Sequence, residues 1–547
     1  MELDLVIRNG TVVDGTGRPR YKADIGIAQG KIAAVSTGEP LTGGHAIDAA
    51  GLVVAPGFID VHSHFDYNLP LADHERSLAP LLVQGVTTLV TGNCGSSPAP
   101  VSETSIPILN QRLGAYGAEA TGGGAGAYFR WRTFGEYLDA LERDGILFNT
   151  AFIVGHGAIR YAVMGVAPRK PTPPEQAAMA EMTRQSLREG AFGFSTGLGY
   201  EPGMYADGDE LLPLLRITAE EGGVYTVHSR AYSIVAPTYP DDVPPPHNVL
   251  STREQLELAG AAGVRLQLSH LLFNGRRTWS TFPTVLRDVE KAVDQGVQIG
   301  IDSFPYTFGN TTIHVNLPKW FLAGLEDNIE SPAAVKRVEA EIAARNETVG
   351  RTYQDITLMH GAAPELSAVE GMNFAEIADF MGLTEFEAYL HVARVSGGRA
   401  RILQDTYSGD SQSEEPLRAV ITHPLCSYMT DTLVFAEGYP NRATYGTFPR
   451  FLGHYCRDLG LLTLEETVHK MTGLPAQQIR LEGVGRIAEG NWADVTLFDP
   501  ETVADNTTPK TPGAAPTGIR KVLISGQVVA QDGELTRVGR RGRVMRR

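Results

Sequence analysis

The sequence predicts a (β/α)8 TIM-like barrel with a small β-sandwich domain assembled from both ends of the chain. Three observations lead there. The middle of the chain alternates apolar, strand-like runs with helical stretches, the pattern of a parallel sheet built from βα units. Short strands with turn punctuation occur at both ends and frame this different middle. At 547 residues the chain has room for one large domain and a smaller one.

Taken in order, Leu5 to Gly15 has a hairpin-like pattern, continued by Ala23 to Ile27 and Lys31 to Val35. Comparable segments return at Gly490 to Phe498 and Val522 to Val529. Residues 1–55 and 480–547 are therefore expected to form the small domain, and 56–479 the barrel. Strand candidates end at His64, Cys94, His156, Ser195, His228, His270, Asp302 and Asp431. Helical stretches lie at Pro174 to Glu189, Asp209 to Glu221, Thr252 to Ala262 and Phe282 to Gln295. Three segments interrupt this alternation. Gly114 to Ala127 is Gly/Ala-rich and reads as a loop, without the strand–turn–helix context of a phosphate-binding fingerprint. Pro237 to Pro246 is proline-rich, and an insertion around 310–350 carries a charged helix at Ala333 to Arg345.

With 47 basic against 63 acidic residues the net charge is −16, which argues against a general affinity for nucleic acid or anionic membrane. The tail Gly539 to Arg547 is locally basic and reads as a solvated end. Three cysteines, Cys94, Cys426 and Cys456, make no disulfide framework. The acidic opening Met1-Glu2-Leu3-Asp4 does not read as the n-region of a signal peptide, and no run of about 18 apolar residues suggests a membrane span. A cytoplasmic protein is expected; whether it forms a homo-oligomer is left open.

The strand that finishes in Asp60-Val61-His62-Ser63-His64 has a geometric consequence. Successive strand residues alternate faces, so His62 and His64 leave on one side and can grip one ion while Ser63 points away. Alone, this pair, or His228, or His270, reads equally well as core histidine. The convergence is what points to a metal. His62, His64, Cys94, His228, His270 and Asp431 all lie at or next to strand C-terminal ends, which meet on one face of a (β/α)8 barrel. Imidazole, thiolate and carboxylate are ligands Zn2+ favours, and six donors suffice for one or two ions. Small residues around Cys94 leave room for an ion, whereas Cys426 and Cys456 read as small buried hydrophobes. Asp431 is the general-base candidate, able to take a proton from water and pass it to a leaving nitrogen.

At this level of detail the sequence resembles the amidohydrolase superfamily, and within it the N-acyl-D-amino-acid deacylase (D-aminoacylase) family. The resemblance rests on Ala55 to His64, Gly85-Val86-Thr87-Thr88 running to Gly92-Asn93-Cys94-Gly95, Val154 to Arg160, Gly193 to Gly203 and Thr226 to Arg230. It continues through Ser269-His270, Tyr445 to Arg450 and Gly490 to Asp494. It implies that Cys94, His228 and His270 hold a tightly bound zinc, with Cys94 in place of the superfamily's usual bridging ligand. His62 and His64 would belong to a second, weaker site, and Asp431 would be the catalytic acid/base. Arg442 and Tyr200 would contact the substrate's carboxylate end. Three departures fall on ground facing the substrate: Leu272 stands where the family usually has lysine, Phe304-Pro305-Tyr306 where two tyrosines are frequent, and Thr432 where glycine is common.

The function expected is zinc-dependent hydrolysis of a linear amide in a small molecule, an N-acyl (D-)amino acid or a bulkier relative. Tyr306 and Leu272 would shape the pocket, and His156 or Tyr200 would polarise the carbonyl or shape it as well. Two alternatives stay open: a cyclic-amide hydrolase of hydantoinase type with the same ligands, and a catalytically silent barrel scaffold.

Overall fold

The computed structural model describes residues 2–118, 128–240 and 244–547. Most of the Gly/Ala-rich stretch, 119–127, and part of the proline-rich one, 241–243, lie outside the described residues. The barrel strands are β1 (Phe58–Ser63), β2 (Val86–Thr91), β3 (Asn149–Phe152, resuming at Val154–Gly155) and β4 (Gly193–Gly197). They continue with β5 (Val224–His228), β6 (Arg265–Leu268), β7 (Ile299–Ser303) and β8 (Cys426–Tyr428). Each pairs in parallel with the next. β1 and β2 are buried along their whole length, as parallel strands covered on both faces must be. All eight strand candidates correspond to barrel strands.

The seam between β8 and β1 is closed by residues at and just beyond the strand ends. The Asp431 N–H donates to the His62 carbonyl at 3.0 Å, and the His64 N–H to the Thr432 carbonyl at 3.2 Å. Thr430 donates through its N–H (2.9 Å) and its hydroxyl (2.6 Å) to the buried Asp60 carboxylate. Closing the barrel and placing His62, His64 and Asp431 side by side are thus one event.

The helices Pro173–Arg188, Gly208–Glu220, His247–Ala262 and Phe282–Asp294 follow the predicted stretches, the third starting at His247 rather than Thr252. Thr172 and Glu175 form a capping box for the first, and the Asp207 carboxylate accepts the Asp209 and Glu210 N–H groups at the start of the second. Their apolar faces (Met179, Leu187, Leu211, Leu214, Val285, Val289) join Phe194, Tyr225, Leu266 and Leu268 of the strands in one core.

Both chain ends contribute to the small β domain. Val495–Phe498 runs antiparallel to Val53–Pro56, in a seven-stranded sheet that also contains Ile519–Ile524 and Gln527–Gln531. A four-stranded sheet holds Leu5–Arg8, Asp24–Ala28, Lys31–Ser36 and His45–Asp48. Ile7, Ile25, Ile27, Val54, Val495, Leu497 and Leu523 share the core between them. The basic tail is not the solvated end its composition suggests. Val544–Met545 pairs in parallel with Thr150 and Ala151 of β3, because its arginines find carboxylates: Arg543 with Asp494 (2.8 Å), Arg546 with Asp139 (2.5 Å) and Arg540 with Glu75 (2.7 Å).

Between β7 and β8 the chain makes a long excursion, of which the segment expected around 310–350 is only part. Phe308–Thr312, Arg401–Asp405 and Ile356–His360 form a three-stranded antiparallel sheet in that order. Helices Pro332–Val349, Phe374–Met381 and Glu385–Val395 pack on it through Val338, Ile342, Phe374, Ile377 and Tyr389. This excursion has its own apolar core and overhangs the barrel mouth. No helix among the described residues is long and apolar enough to cross a membrane.

Candidate functional site

Six side chains predicted from strand ends meet at the barrel mouth. The Cys94 Sγ lies 3.3 Å from His62 Nε2, 3.4 Å from His270 Nε2 and 3.7 Å from His228 Nδ1. His228 Nδ1 and His270 Nε2 are 3.2 Å apart. On the other side of His62, the Asp431 carboxylate stands 3.5 Å from His62 Nε2 and 3.3 Å from His64 Nε2. The donors form two overlapping groups, Cys94 with His62 and His270 and Asp431 with His62 and His64, and His228 stands beside the first. His62 belongs to both, whereas the resemblance placed it with His64 alone.

The backbone is bent to achieve this. Cys94, His270 and Asp431 have φ of +54°, +35° and +50°, a left-handed conformation that costs a non-glycine residue about 1–3 kcal/mol and recurs at functional sites. Each bend is pinned. Asp302 on β7 accepts the His270 N–H at 2.6 Å and the Gln267 amide at 2.8 Å, and its carboxylate lies 3.5 Å from His62 Nδ1. The Cys94 turn is held by Ser195 on β4, whose hydroxyl accepts the Gly95 N–H (3.0 Å) and donates to the Gly92 carbonyl (2.6 Å). A Cβ on Gly92 would fall 1.9 Å from the Ile153 carbonyl oxygen, and one on Gly95 would fall 2.6 Å from the Gly197 nitrogen. Glycines flank the Gly92-Asn93-Cys94-Gly95 turn because β3 and β4 leave no room for a side chain.

Charge within the cluster is mutually adjusted. Burial by itself would raise the Cys94 thiol, but His62 and His270 beside it hold it well below the usual thiol range. Burial likewise opposes ionisation of Asp431, yet His270 and the hydrogen bond from His64 keep its carboxyl below its ordinary value. Burial depresses His228, whereas His64 is pushed up to about 9 against its own burial by Asp431 and Cys94.

The donor set fits a metal. Three imidazole nitrogens and one sulfur converge here, with the His228 and His270 nitrogens 3.2 Å from each other and 3.7 and 3.4 Å from Cys94 Sγ, and all four are lone-pair donors to a soft cation. A shared cation would engage a lone pair from each. The observed separations of 3.2–3.7 Å also match the edges, about 3.3–3.6 Å, of a tetrahedron with zinc–nitrogen and zinc–sulfur bond lengths.

Above the cluster opens a cavity of about 570 Å3. His64, Cys94, His228, His270 and Asp431 reach its surface, as do Tyr200 and Leu272. The Tyr200 hydroxyl donates to the Cys94 carbonyl at 3.0 Å, and its ring lies 4.7 Å from that of His228. Three residues expected at the substrate are placed elsewhere. His156 is fully buried, with Nε2 2.8 Å from the Glu210 carboxylate that also accepts from Arg160; it completes a structural ion network. Tyr306 donates its hydroxyl to Asp505 at 2.9 Å and so ties the barrel to a C-terminal loop. Arg442 lays its guanidinium over the rings of Phe308 (4.3 Å) and Tyr306 (5.7 Å), and none of the three residues lines the cavity.

The structure also brings up residues that the motif reading passed over. Asp302 was identified only as a strand end, although an acid on β7 beside two histidines is a ready orienting group. Tyr232 packs its ring 5.0 Å from His228 and 5.2 Å from His270. Asn310, Arg351 and Arg401 enter the cavity from the excursion; they lie in no motif, and only the folded sheet puts them there.

Comparison with known proteins agrees with this geometry. A family model described as "Amidohydrolase family" matches residues 45–530. A D-aminoacylase of Alcaligenes xylosoxydans xylosoxydans is 31% identical over 97% of this chain and 96% of its own. An N-acyl-D-glutamate deacylase of the same organism is 32% identical over 100% of this chain and 97% of its own. Among solved structures, N-acyl-D-glutamate deacylase from Bordetella bronchiseptica, complexed with zinc and a phosphonate mimic of the reaction's tetrahedral intermediate, superposes with a TM-score of 0.81. That enzyme is 30% identical, with full coverage of both chains. The chain thus belongs to the amidohydrolase family, in its N-acyl-D-amino-acid deacylase (D-aminoacylase) branch.

Proposed function

We propose that this protein is a zinc-dependent hydrolase that cleaves the linear amide bond of an N-acyl (D-)amino acid. The observation that carries this reading is the position of Asp431. Its carboxylate is 3.3–3.5 Å from His64 and His62, next to the Cys94–His228–His270 cluster, and it faces the cavity. Cys94, His228 and His270 would hold one zinc; His62, His64 and Asp431, with Cys94 between the groups, could take a second. Zinc bound there supplies a Lewis acid for the acyl carbonyl and acidifies a water molecule.

The chain's own residues do the rest. Asp431, held ionised by His270 and His64, accepts a proton from the attacking water and delivers it to the departing nitrogen. Tyr200 and Tyr232 pack on the imidazoles and fix the ring planes. The D configuration of the substrate follows the characterised relatives. We read the enzyme as cytoplasmic and as acting on a small molecule, in keeping with its charge of −16 and three unpaired cysteines.

Turnover of paired N-acyl-D- and N-acyl-L-amino acids by zinc-loaded protein, alongside Asp431→Asn, tests the reading. Turnover of the D series, lost in a variant that still binds zinc, is the expected result. Near-normal activity of Asp431→Asn would sink the mechanism.

A further inference from the structure

We propose that Arg401 is the residue that receives the substrate's carboxylate, so that this chain selects amides with an anionic group beside the scissile bond. This inference rests on the amide-hydrolase reading and names its anion subsite. Arg401 opens the excursion strand Arg401–Asp405, opposite Thr312, and lines the cavity although only 8% of its surface is exposed. Its guanidinium donates to the Asn310 side-chain oxygen, and the Asn310 amide donates in turn to the backbone carbonyl of Asp431. One side chain therefore separates this cation from the backbone of the proton-transferring residue.

Arg401 is short of partners. Its Nε is buried without a hydrogen bond, and among the described residues no carboxylate lies within ion-pair distance of it. Arg160 and Arg230, also buried, are paired with Glu210 and Glu254; Arg351, buried in the same wall, gives its Nε and Nη2 to the Asn346 side-chain oxygen. A desolvated guanidinium without a directly paired carboxylate is unfavourable, and in a cavity wall it is a ready receptor for an anion. Its planar fork suits a carboxylate. The surroundings agree: six arginines line the cavity among the described residues, against two acidic side chains, Glu201 and Asp431. Leu272 contributes no charge, and Arg442 is engaged over Phe308 and Tyr306. The cation that meets a substrate here is then one supplied by the excursion.

The test uses an achiral pair, N-benzoylglycine and N-benzoylglycinamide, which differ only in the carboxylate. Binding of each to the zinc-loaded full-length protein is measured by calorimetry. The wild type should prefer the carboxylate by about 10- to 100-fold. Arg401→Gln should abolish the preference, and Arg401→Lys, which keeps the charge but not the fork, should retain part of it. Should the glutamine variant fail to fold, the reduced preference of the lysine variant reads the same property. A preference unchanged in both variants, equal binding of the two compounds by the wild type, or a preference lost only in Arg442→Gln would overturn the proposal. Turnover of N-acyl-D-amino acids on the same preparations separates the two readings. Binding preference without turnover would defeat the deacylase assignment and keep Arg401; turnover with a preference indifferent to Arg401 would do the reverse.

Discussion

The floor and the wall of the cavity are made from different kinds of chain. The floor comes from the C-terminal ends of β1, β2, β5, β6 and β8 and the turns that follow them, pinned by Asp302, Ser195 and the seam between β8 and β1. The wall that holds Asn310, Arg351 and Arg401 comes from an excursion with a separate core of Ile342, Ile377, Tyr389 and Ile402. A floor locked into the barrel cannot change without disturbing closure of the fold. A wall with its own core can change its side chains while the barrel stays intact. On the function and anion subsite proposed above, the chemistry is invested in the floor and the choice of substrate in the wall.

Four changes can break or sharpen this contrast. The largest effect is expected on the floor: Asp431→Asn should lower kcat by about 100- to 10,000-fold with zinc content unchanged, read by turnover and metal analysis together. Next comes the layer beneath. Asp302→Asn removes the charge that faces His62 and holds the His270 N–H. It should weaken zinc binding by about 10- to 100-fold in competition with a chelator, and undiminished affinity would show that the barrel holds the histidines without it. On the wall, Asn310→Ala frees Arg401 from its tether to the Asp431 backbone. We expect a rise in KM of about 5- to 10-fold with zinc retained; loss of zinc instead would mean that floor and wall are not separable. The smallest effect is at Tyr306→Phe, which deletes the hydroxyl bonded to Asp505. It should cost about 1 kcal/mol in urea unfolding, and a KM change at undiminished stability would return Tyr306 to the substrate.

The same contrast explains what could be read in advance. His62, His64, Cys94, His228, His270 and Asp431 were legible because a parallel barrel converts sequence position at a strand end into spatial convergence. His156 also ends a strand candidate, and there the rule misled: the turn into the helix His156–Met164 swings the ring onto Glu210 instead of into the mouth. Arg442 and Tyr306 were nominated by resemblance, but local aromatic and carboxylate partners claim both. The basic tail misled for a similar reason, since charge composition does not reveal that Asp494, Asp139 and Glu75 wait beside β3.

By itself, the sequence determined the βα alternation, the contribution of both ends to a β domain, and the donors at the barrel mouth. These follow from periodicities of two and 3.6 residues and from the order of strands along the chain. Only the tertiary structure decided that His62 is shared between two donor groups, that Asp302 and Ser195 pin the bends, and that Arg401 reaches the cavity with its Nε unbonded. Those outcomes depend on contacts between residues tens to more than three hundred positions apart, such as Asp60 with Thr430 and Arg401 with Asn310. No local pattern encodes such contacts, and they exist only once the barrel has closed and the excursion has packed over it.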